Sequence, residues 1–348
     1  MSLLTQLNIS TPIIQAPMAG VQDHQLAIAV AKGGALGSIP CAMLNNEQIV
    51  EQIQACKAVG IEQFNLNFFC HQPPIIDEHR QQQWSEKLAP YFQALNITEK
   101  RDSTNNRTPF CQATIDAIRP YAPPIISFHF GLPKVHLLEQ LKAWGAIIIS
   151  SATSLAEGVW LEQNGADIVI AQGLEAGGHR AMFIETDIAL QQTTFSLVPQ
   201  LVKRLNIPII AAGGISDANG IRAAMALGAS AVQIGTSYLL CDEAKTSDLH
   251  RQALTSNSQQ QTCLTNVFTG RPARSIVNKA VKELGPMSTA TPAFPLASIS
   301  MSQLRNAAQA QGSADFMPLW SGQNASGCKA ISATQLTEQL KQGLDTLC

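Results

Sequence analysis

Eight short apolar, β-rich runs that alternate with helix-compatible stretches along 348 residues predict an α/β fold. The type expected is a TIM, or (β/α)8, barrel with a lid-like insertion after strand eight. The runs are Pro12–Ala16, Ala35–Ile39, Gln63–Asn67, Pro124–Phe128, Ala146–Ser150, Asp167–Ala171, Pro208–Ala212 and Ala231–Gly235. Several are apolar throughout, as in parallel strands covered on both faces, and most repeats of about 20 to 30 residues suit a barrel of about 250. A doubly wound open sheet fits less well. Its fingerprint, G-x-G-x-x-G followed by an acidic residue about 20 positions on, is missing, and the first run ends in Ala16-Pro17-Met18-Ala19-Gly20 instead.

The amphipathic segments Asp23–Lys32, Glu47–Gly60, Val135–Trp144, Ser154–Asn164 and Asp217–Leu227 supply crossover helices. Two stretches break the repeat. Cys70–Pro109 is polar and rich in Gln and Asn, and reads as a long loop with one helix around Gln82–Leu95. Cys241–Pro318 follows the eighth run and holds the polar segment Ser258-Gln259-Gln260-Gln261 and a helix near Ser302–Gly312. A final helix, Ala333–Leu347, closes the barrel. The expected division is a barrel of residues 1–240 and 319–348 and a lid or substrate subdomain of 241–318, on the face where barrel active sites lie.

Only 14% of the residues are charged, against about 25% in an average soluble domain, while 45% are hydrophobic and 23 are glycine. Lys and Arg number 23 and Asp and Glu 25, with no block of like charge. That balance argues against nucleic acid or an anionic membrane as partner. The cysteines, Cys41, Cys56, Cys70, Cys111, Cys241, Cys263, Cys328 and Cys348, form no C-x-x-C pair and read as reduced thiols of a cytoplasmic protein. The start MSLLTQLN has none of the marks of an export signal, and no apolar run reaches the roughly 18 residues of a membrane span. No H-E-x-x-H, paired-carboxylate or Ser/His/Asp pattern occurs, so no metal site is expected. The sequence leaves room for a homo-oligomer.

In a barrel the strand exits face the active site. The seventh run leads into Gly213-Gly214-Ile215-Ser216-Asp217 and the eighth into Gln233-Ile234-Gly235-Thr236. Paired glycines let backbone N–H groups approach an anion, and a helix N-terminus adds favourable partial charge, so these exits read as a phosphate cradle. The sixth run continues Gln172-Gly173-Leu174-Glu175-Ala176-Gly177-Gly178-His179-Arg180. A histidine on a glycine-rich loop at the barrel mouth can exchange a proton near neutrality, which makes His179 the candidate catalytic group. Glu175 and Arg180 read as well as solvated loop residues. Asn67 in the third run needs partners, from backbone or from a ligand. His71 and His129 read equally as packed structural histidines.

Pro12 to Gly20, Asn67, Ala171-Gln172-Gly173 through Gly177-Gly178-His179, Ala211–Ile215 and Gln233-Ile234-Gly235-Thr236 together resemble the nitronate monooxygenases. Thr269-Gly270-Arg271-Pro272-Ala273-Arg274 and Leu319-Trp320-Ser321-Gly322-Gln323 extend the likeness over most of the chain. The resemblance implies an FMN-dependent barrel that oxidises alkyl nitronates, such as propionate 3-nitronate, with O2 to a carbonyl compound and nitrite. It implies further that Asn67, Gln172, Gly177, Gly214 and Gln233, Ile234, Gly235 and Thr236 hold the flavin, in agreement with the cradle of Gly213, Gly214, Gly235 and Thr236 read from the strand exits. Met18 and Gly20 would lie along its ring, and His179 would act as base or substrate-binding group. A nitronate is already a carbanion equivalent, whereas a neutral nitroalkane needs its α-proton removed first. Some members carry tyrosines and a lysine in the lid; here the tyrosines are Tyr91, Tyr121 and Tyr238, none deep in the insertion. Two other readings stay open at this level: an FMN- and NAD(P)H-dependent enoyl-acyl-carrier-protein reductase, and a non-catalytic flavin-binding barrel.

Overall fold

Parallel strands that bury both faces need a closed surround, and the computed structural model, which describes residues 2–100 and 108–345, provides one. The strands are β1 (Ile13–Gln15), β2 (Ser38–Pro40), β3 (Asn65–Phe69), β4 (Ile125–His129), β5 (Ile147–Ala152), β6 (Ile168–Gln172), β7 (Gly178–His179), β8 (Ile209–Ala212), β9 (Ala231–Ile234), β10 (Thr262–Thr265) and β11 (Ala273–Ile276). Eight of them form one parallel sheet in the order β1-β9-β8-β6-β5-β4-β3-β2. The two ends meet at Ile14 and Leu36, where Gln15 N donates to Leu36 O at 2.8 Å and Leu36 N to Ile13 O at 3.0 Å, so the barrel closes. The expected strands are recovered within one to three residues; the third is Asn65–Phe69, not Gln63–Asn67, which moves Phe69 into the strand. Met1, residues 101–107 of the first insertion, the last turn expected up to Leu347, and Cys348 lie outside the described residues.

The pleat sorts side chains by a period of two. Ile125, Ile149, Ile168, Ile170, Ile210 and Ala231 pack inside the barrel, and the short helix Leu3–Leu7 plugs its N-terminal end with Leu3 and Leu7. The alternate residues, such as Val169, Ala171, Ile209 and Ala211, pack outward under the helices. Those helices start where the sequence offers caps. Asp23 caps His24–Lys32, Asn45 and Gln48 form a capping box on Asn46–Ala58, and Ser154 caps Leu155–Gln163. The helix Thr194–Arg204, which the sequence reading passed over, completes the crossover from β6 to β8.

The two insertions share a core. The first contributes the helix Glu78–Ala94 with Trp84, Leu88 and Phe92, and the second the helix Ala297–Ala310 with Met301, Leu304 and Ala308, packed around Val267, Phe268 and Phe316. An antiparallel sheet, β10-β11-β7, was not expected either; it ties the second insertion to the loop that leaves β6, through the pairs Ala273 with His179 and Arg274 with Gly178. Seven free cysteines and no disulfide occur among the described residues, and no helix there is long and apolar enough to cross a membrane.

Close packing of the helix His24–Lys32 beside β2 depends on Gly37. A methyl group at that position would sit 2.6 Å from the Ala27 Cα and overlap the Ala27 carbonyl. Gly37→Ala is expected to lower unfolding stability by about 1 to 3 kcal/mol, read as a lower urea midpoint at unchanged m-value.

Candidate active site

The C-terminal ends of the barrel strands open into a cavity of about 190 Å³. The pleat decides which side chains reach it. Asn67 and Phe69 on β3, Ile170 and Gln172 on β6, and Gln233 with Gly235 at the end of β9 are alternate residues, and all line it. So do Met18, Gly177, His179, Gly213, Gly214 and Thr236. Ile234 does not: one place out of phase on β9, it is buried against Ile13, Val232 and the outer helices, and its carbonyl accepts from Ala16 N. Gly20 does not either. It is an exposed turn residue at φ +85°, a conformation that suits glycine, and it stands outside the cavity lining.

Three backbone N–H groups on the cavity wall, those of Gly214, Gly235 and Thr236, donate to no acceptor among the described residues. Gly213 and Gly214 have φ +117° and +74°, which turns this loop sharply as it leaves β8. The helix that follows, Ala218–Ala226, is capped by Asp217, whose carboxylate accepts from Gly220 N at 2.8 Å. The three unpaired N–H groups on the cavity wall thus follow the ends of β8 and β9 and precede this helix or lie apart from it. Gly177 has another reason to be glycine: a Cβ there would lie 2.5 Å from Gly322 N and 2.6 Å from Ser321 C, so the missing side chain makes room for the chain itself.

Two predicted binding amides are already engaged. Gln172 Nε2 donates to His179 O at 3.0 Å and its Oε1 accepts from Ala181 N at 2.8 Å, so this side chain shapes the histidine loop. Asn67 Nδ2 donates to Ser127 Oγ at 2.9 Å. By contrast, Gln233 Oε1 is buried on the cavity wall with no hydrogen-bond partner. Leaving a buried acceptor unpaired is costly, and a donor on a bound ligand would satisfy it.

His179 is held from several sides. Its Nε2 lies 2.9 Å from Thr269 Oγ1, and its carbonyl is 3.1 Å from His129 Nε2. Phe294 and Trp320 stand 5.4 and 5.5 Å from its ring centroid, and Phe69 and Phe130 both 6.2 Å. Next to it, Arg180 is fully buried and donates to Gly173 O at 2.6 Å, Gln172 O at 2.7 Å and Gln191 Oε1 at 2.9 and 3.0 Å. Burial pushes its pKa down to about 9. Glu157, also fully buried, accepts from Thr153 N and Oγ1 and from Phe183 N and Ile184 N. Glu175 accepts from Thr194 N at 2.9 Å and Thr194 Oγ1 at 3.0 Å. Arg180 and Glu175 are thus framework rather than solvated loop residues.

Sequence reasoning missed His250. It sits on the helix Asp248–Thr255 of the second insertion, is 3% exposed, lines the cavity, and has no partner for Nε2. Its only sequence signal, Ser247 as cap three residues before it, marks a helix and not a cavity. Thr269, Phe294 and Trp320 were equally invisible as neighbours of His179, because they lie 90 or more positions away.

The cavity at the C-terminal ends of eight parallel strands places the chain among the (β/α)8 barrels that carry their active site on that face. Within that class it belongs to the nitronate monooxygenase family, whose description matches residues 1–343. The nitronate monooxygenase of Paraburkholderia phytofirmans is 38% identical over 347 residues, 99% of this chain and 94% of the relative. That of Pseudomonas aeruginosa is 36% identical and covers 97% of both chains. Among solved structures, nitroalkane oxidase from Streptomyces ansochromogenes superimposes with a TM-score of 0.91 at 35% identity, covering 99% of this chain and 98% of that one. FabK from Thermotoga maritima, at 24% identity and a TM-score of 0.73, shares the fold.

Desolvation lowers the pKa of His129 and of His250 to about 4. His129 borders the cavity, yet protein surrounds it on every other side. The unfolded chain takes up these protons near pH 6.5 and the folded protein only near pH 4, so stability falls as the pH drops through that window, by up to about 3 kcal/mol per histidine. Urea midpoints measured from pH 7 to pH 4 are expected to decline in the wild type and to decline less in His129→Gln.

Proposed function

We propose that the chain oxidises alkyl nitronates with O2 to a carbonyl compound and nitrite, with FMN as its cofactor. The observation that carries this reading is the pairing of two unmet demands in one cavity: the free amides of Gly214, Gly235 and Thr236, and the unpartnered Gln233 Oε1. The amides suit a terminal phosphate. Gln233 suits an N–H donor on a planar ring, and Met18, beside Gly235, offers that ring an apolar surface. FMN has all three parts, and when bound it supplies the electron acceptor and the place where O2 is reduced. Asn67, Gln172, Gly177 and Gly213 complete the wall around it.

The protein's own contribution is position and exclusion. Thr269 fixes the imidazole of His179 through Nε2, while Phe69, Phe130, Phe294 and Trp320 keep water from it. A nitronate needs only to be bound and oriented there. A neutral nitroalkane needs His179 to take its α-proton. The division into barrel (1–240, 319–348) and lid (241–318) belongs to this reading, since the second insertion brings Thr269, Phe294 and His250 to the site. A cytoplasmic location agrees with the unpaired cysteines.

Oxygen uptake and nitrite release from ethyl nitronate by the FMN-loaded protein test the activity directly; neither would be seen if the reading is wrong. Anaerobic mixing with NADH separates the enoyl-reductase reading, which requires rapid bleaching of the flavin. A methyl at Gly235 would meet only Ala16 Cβ at 3.2 Å and Met18 Sδ at 3.7 Å, so the fold tolerates it, but it narrows the cradle. Gly235→Ala is expected to weaken FMN binding at least about tenfold by calorimetric titration, with the melting temperature of the FMN-free protein nearly unchanged. His179→Asn should abolish turnover of neutral nitroethane and spare turnover of ethyl nitronate; equal loss on both would remove the base role.

A further inference from the structure

The helix Asp248–Thr255 brings His250 to the cavity, and its neighbour Arg251 fixes how that helix lies. Arg251 donates to Leu240 O and Cys241 O, both at 2.8 Å, and to Ala244 O and Thr246 O, both at 3.0 Å. Leu240 closes the turn Thr236–Leu240 and Cys241 follows it, so the helix is tied to the turn whose first residue belongs to the cradle. The backbone carbonyl of Trp320 accepts from the His250 imidazole. Two residues further on, Gly322 N donates to Thr236 Oγ1 at 2.9 Å. His250 is therefore held beside the cradle by two separate segments. Its side chain is buried, and Nε2 has no hydrogen-bond partner among the described residues. Burial keeps the imidazole uncharged down to about pH 4, so with one nitrogen donating to Trp320 O the other offers a lone pair. A buried lone pair without a donor is an unmet demand of the same kind as that of Gln233 Oε1.

We propose that His250 is a further cofactor-binding residue, whose Nε2 accepts a hydrogen bond from a hydroxyl of the ribityl chain that joins the phosphate of FMN to its ring. This rests on the FMN-dependent reading above and gives a residue to a part of the cofactor that reading left unassigned. A phosphate presents acceptor oxygens, which an imidazole lone pair repels. The oxidised ring has a single N–H donor, and Gln233 Oε1 already stands on the cavity wall to receive it. The donors of FMN that are left are the hydroxyls of its ribityl chain. That chain starts at the phosphate, and His250 is anchored next to Thr236, where the phosphate would sit.

The test is calorimetric titration of the full-length, flavin-free protein with FMN and with an analogue in which an unsubstituted pentyl chain joins the same ring to the same terminal phosphate. His250→Leu keeps the bulk of the side chain and removes the acceptor. It is expected to weaken FMN binding about tenfold and binding of the analogue by less than about twofold. His250→Gln returns an acceptor near the position of Nε2 and should recover most of the FMN affinity. The wild type gives a reading that needs no variant to fold: it should bind the analogue at least about tenfold more weakly than FMN. Unchanged FMN affinity in His250→Leu, equal loss for FMN and the analogue, or equal binding of the two by the wild type overturns the proposal. If FMN binds as expected and ethyl nitronate is not oxidised, the nitronate reading fails and this one stands. A wild type that binds no FMN removes both.

Discussion

Closure of eight parallel strands imposes a period of two on every residue in the barrel, and the rest of the molecule follows from that constraint. One phase points inward and the other under the helices, so each strand carries two sequences interleaved. In β6 the inward phase reads Ile168, Ile170, Gln172 and the outward phase Val169, Ala171. Inward residues are apolar at the N-terminal end, where Leu3 and Leu7 seal the barrel, and turn polar at the opposite end with Asn67, Gln172 and Gln233. The change from packed core to cavity is thus written along each strand, and register sets its depth. The pairs Gln172 with Ala212 and Ala212 with Gln233 put three lining residues in one layer.

On top of that frame, one loop is shaped by buried polar groups instead of by apolar packing. Between β6 and the helix Thr194–Arg204 the chain makes a long excursion that carries His179. Arg180 ties its start to its middle through two carbonyls and Gln191, and Gln191 Nε2 reaches Thr153 Oγ1, which also donates to Glu157. Glu157 then holds the far side through Phe183 N and Ile184 N. Removing one member leaves a buried charge or amide without its partner, which is far more damaging than loss of an exposed ion pair. The ion pairs of this chain are peripheral by comparison: Lys57 with Glu62 and Lys142 with Asp167 lie at the surface.

Much of this was legible before any coordinates. Runs of Ile, Val and Ala flanked by capped amphipathic helices mark a parallel barrel because both signals are local, and the glycine pair at the seventh exit with Gly235 at the eighth reads as a phosphate cradle for the same reason. What the chain itself asks of those residues was not legible. Ile234 was taken with its neighbours Gln233 and Gly235, although the pleat turns its side chain away from the cavity. Gly20 was expected along the ring, and the structure places it in an exposed turn outside the cavity lining. Gly177 and Gln172 line the cavity and also serve the chain: Gly177 makes room for Ser321 and Gly322, and the Gln172 amide meets His179 O and Ala181 N. These claims come from residues that the local sequence pattern does not show.

The class of fold, the positions of the strand exits and the low charge of the whole molecule were readable from the residues alone, because hydrophobic period, caps and glycine turns act over a few residues, and the same local signals singled out His179. What surrounds that histidine follows from long-range contacts. Thr269, Phe294 and His250 come from the second insertion, whose helices and strands carry weak local signals, and Trp320 from the segment just after it; they reach the barrel mouth because β11 pairs with the two-residue strand β7 and a second apolar core forms with Trp84, Leu88 and Phe92. A sparsely charged composition could mean a large core or an uncharged pocket. Folding shows it is both, since the arginines nearest the site are drawn into the wall by backbone carbonyls and the cavity keeps aromatic and neutral polar groups.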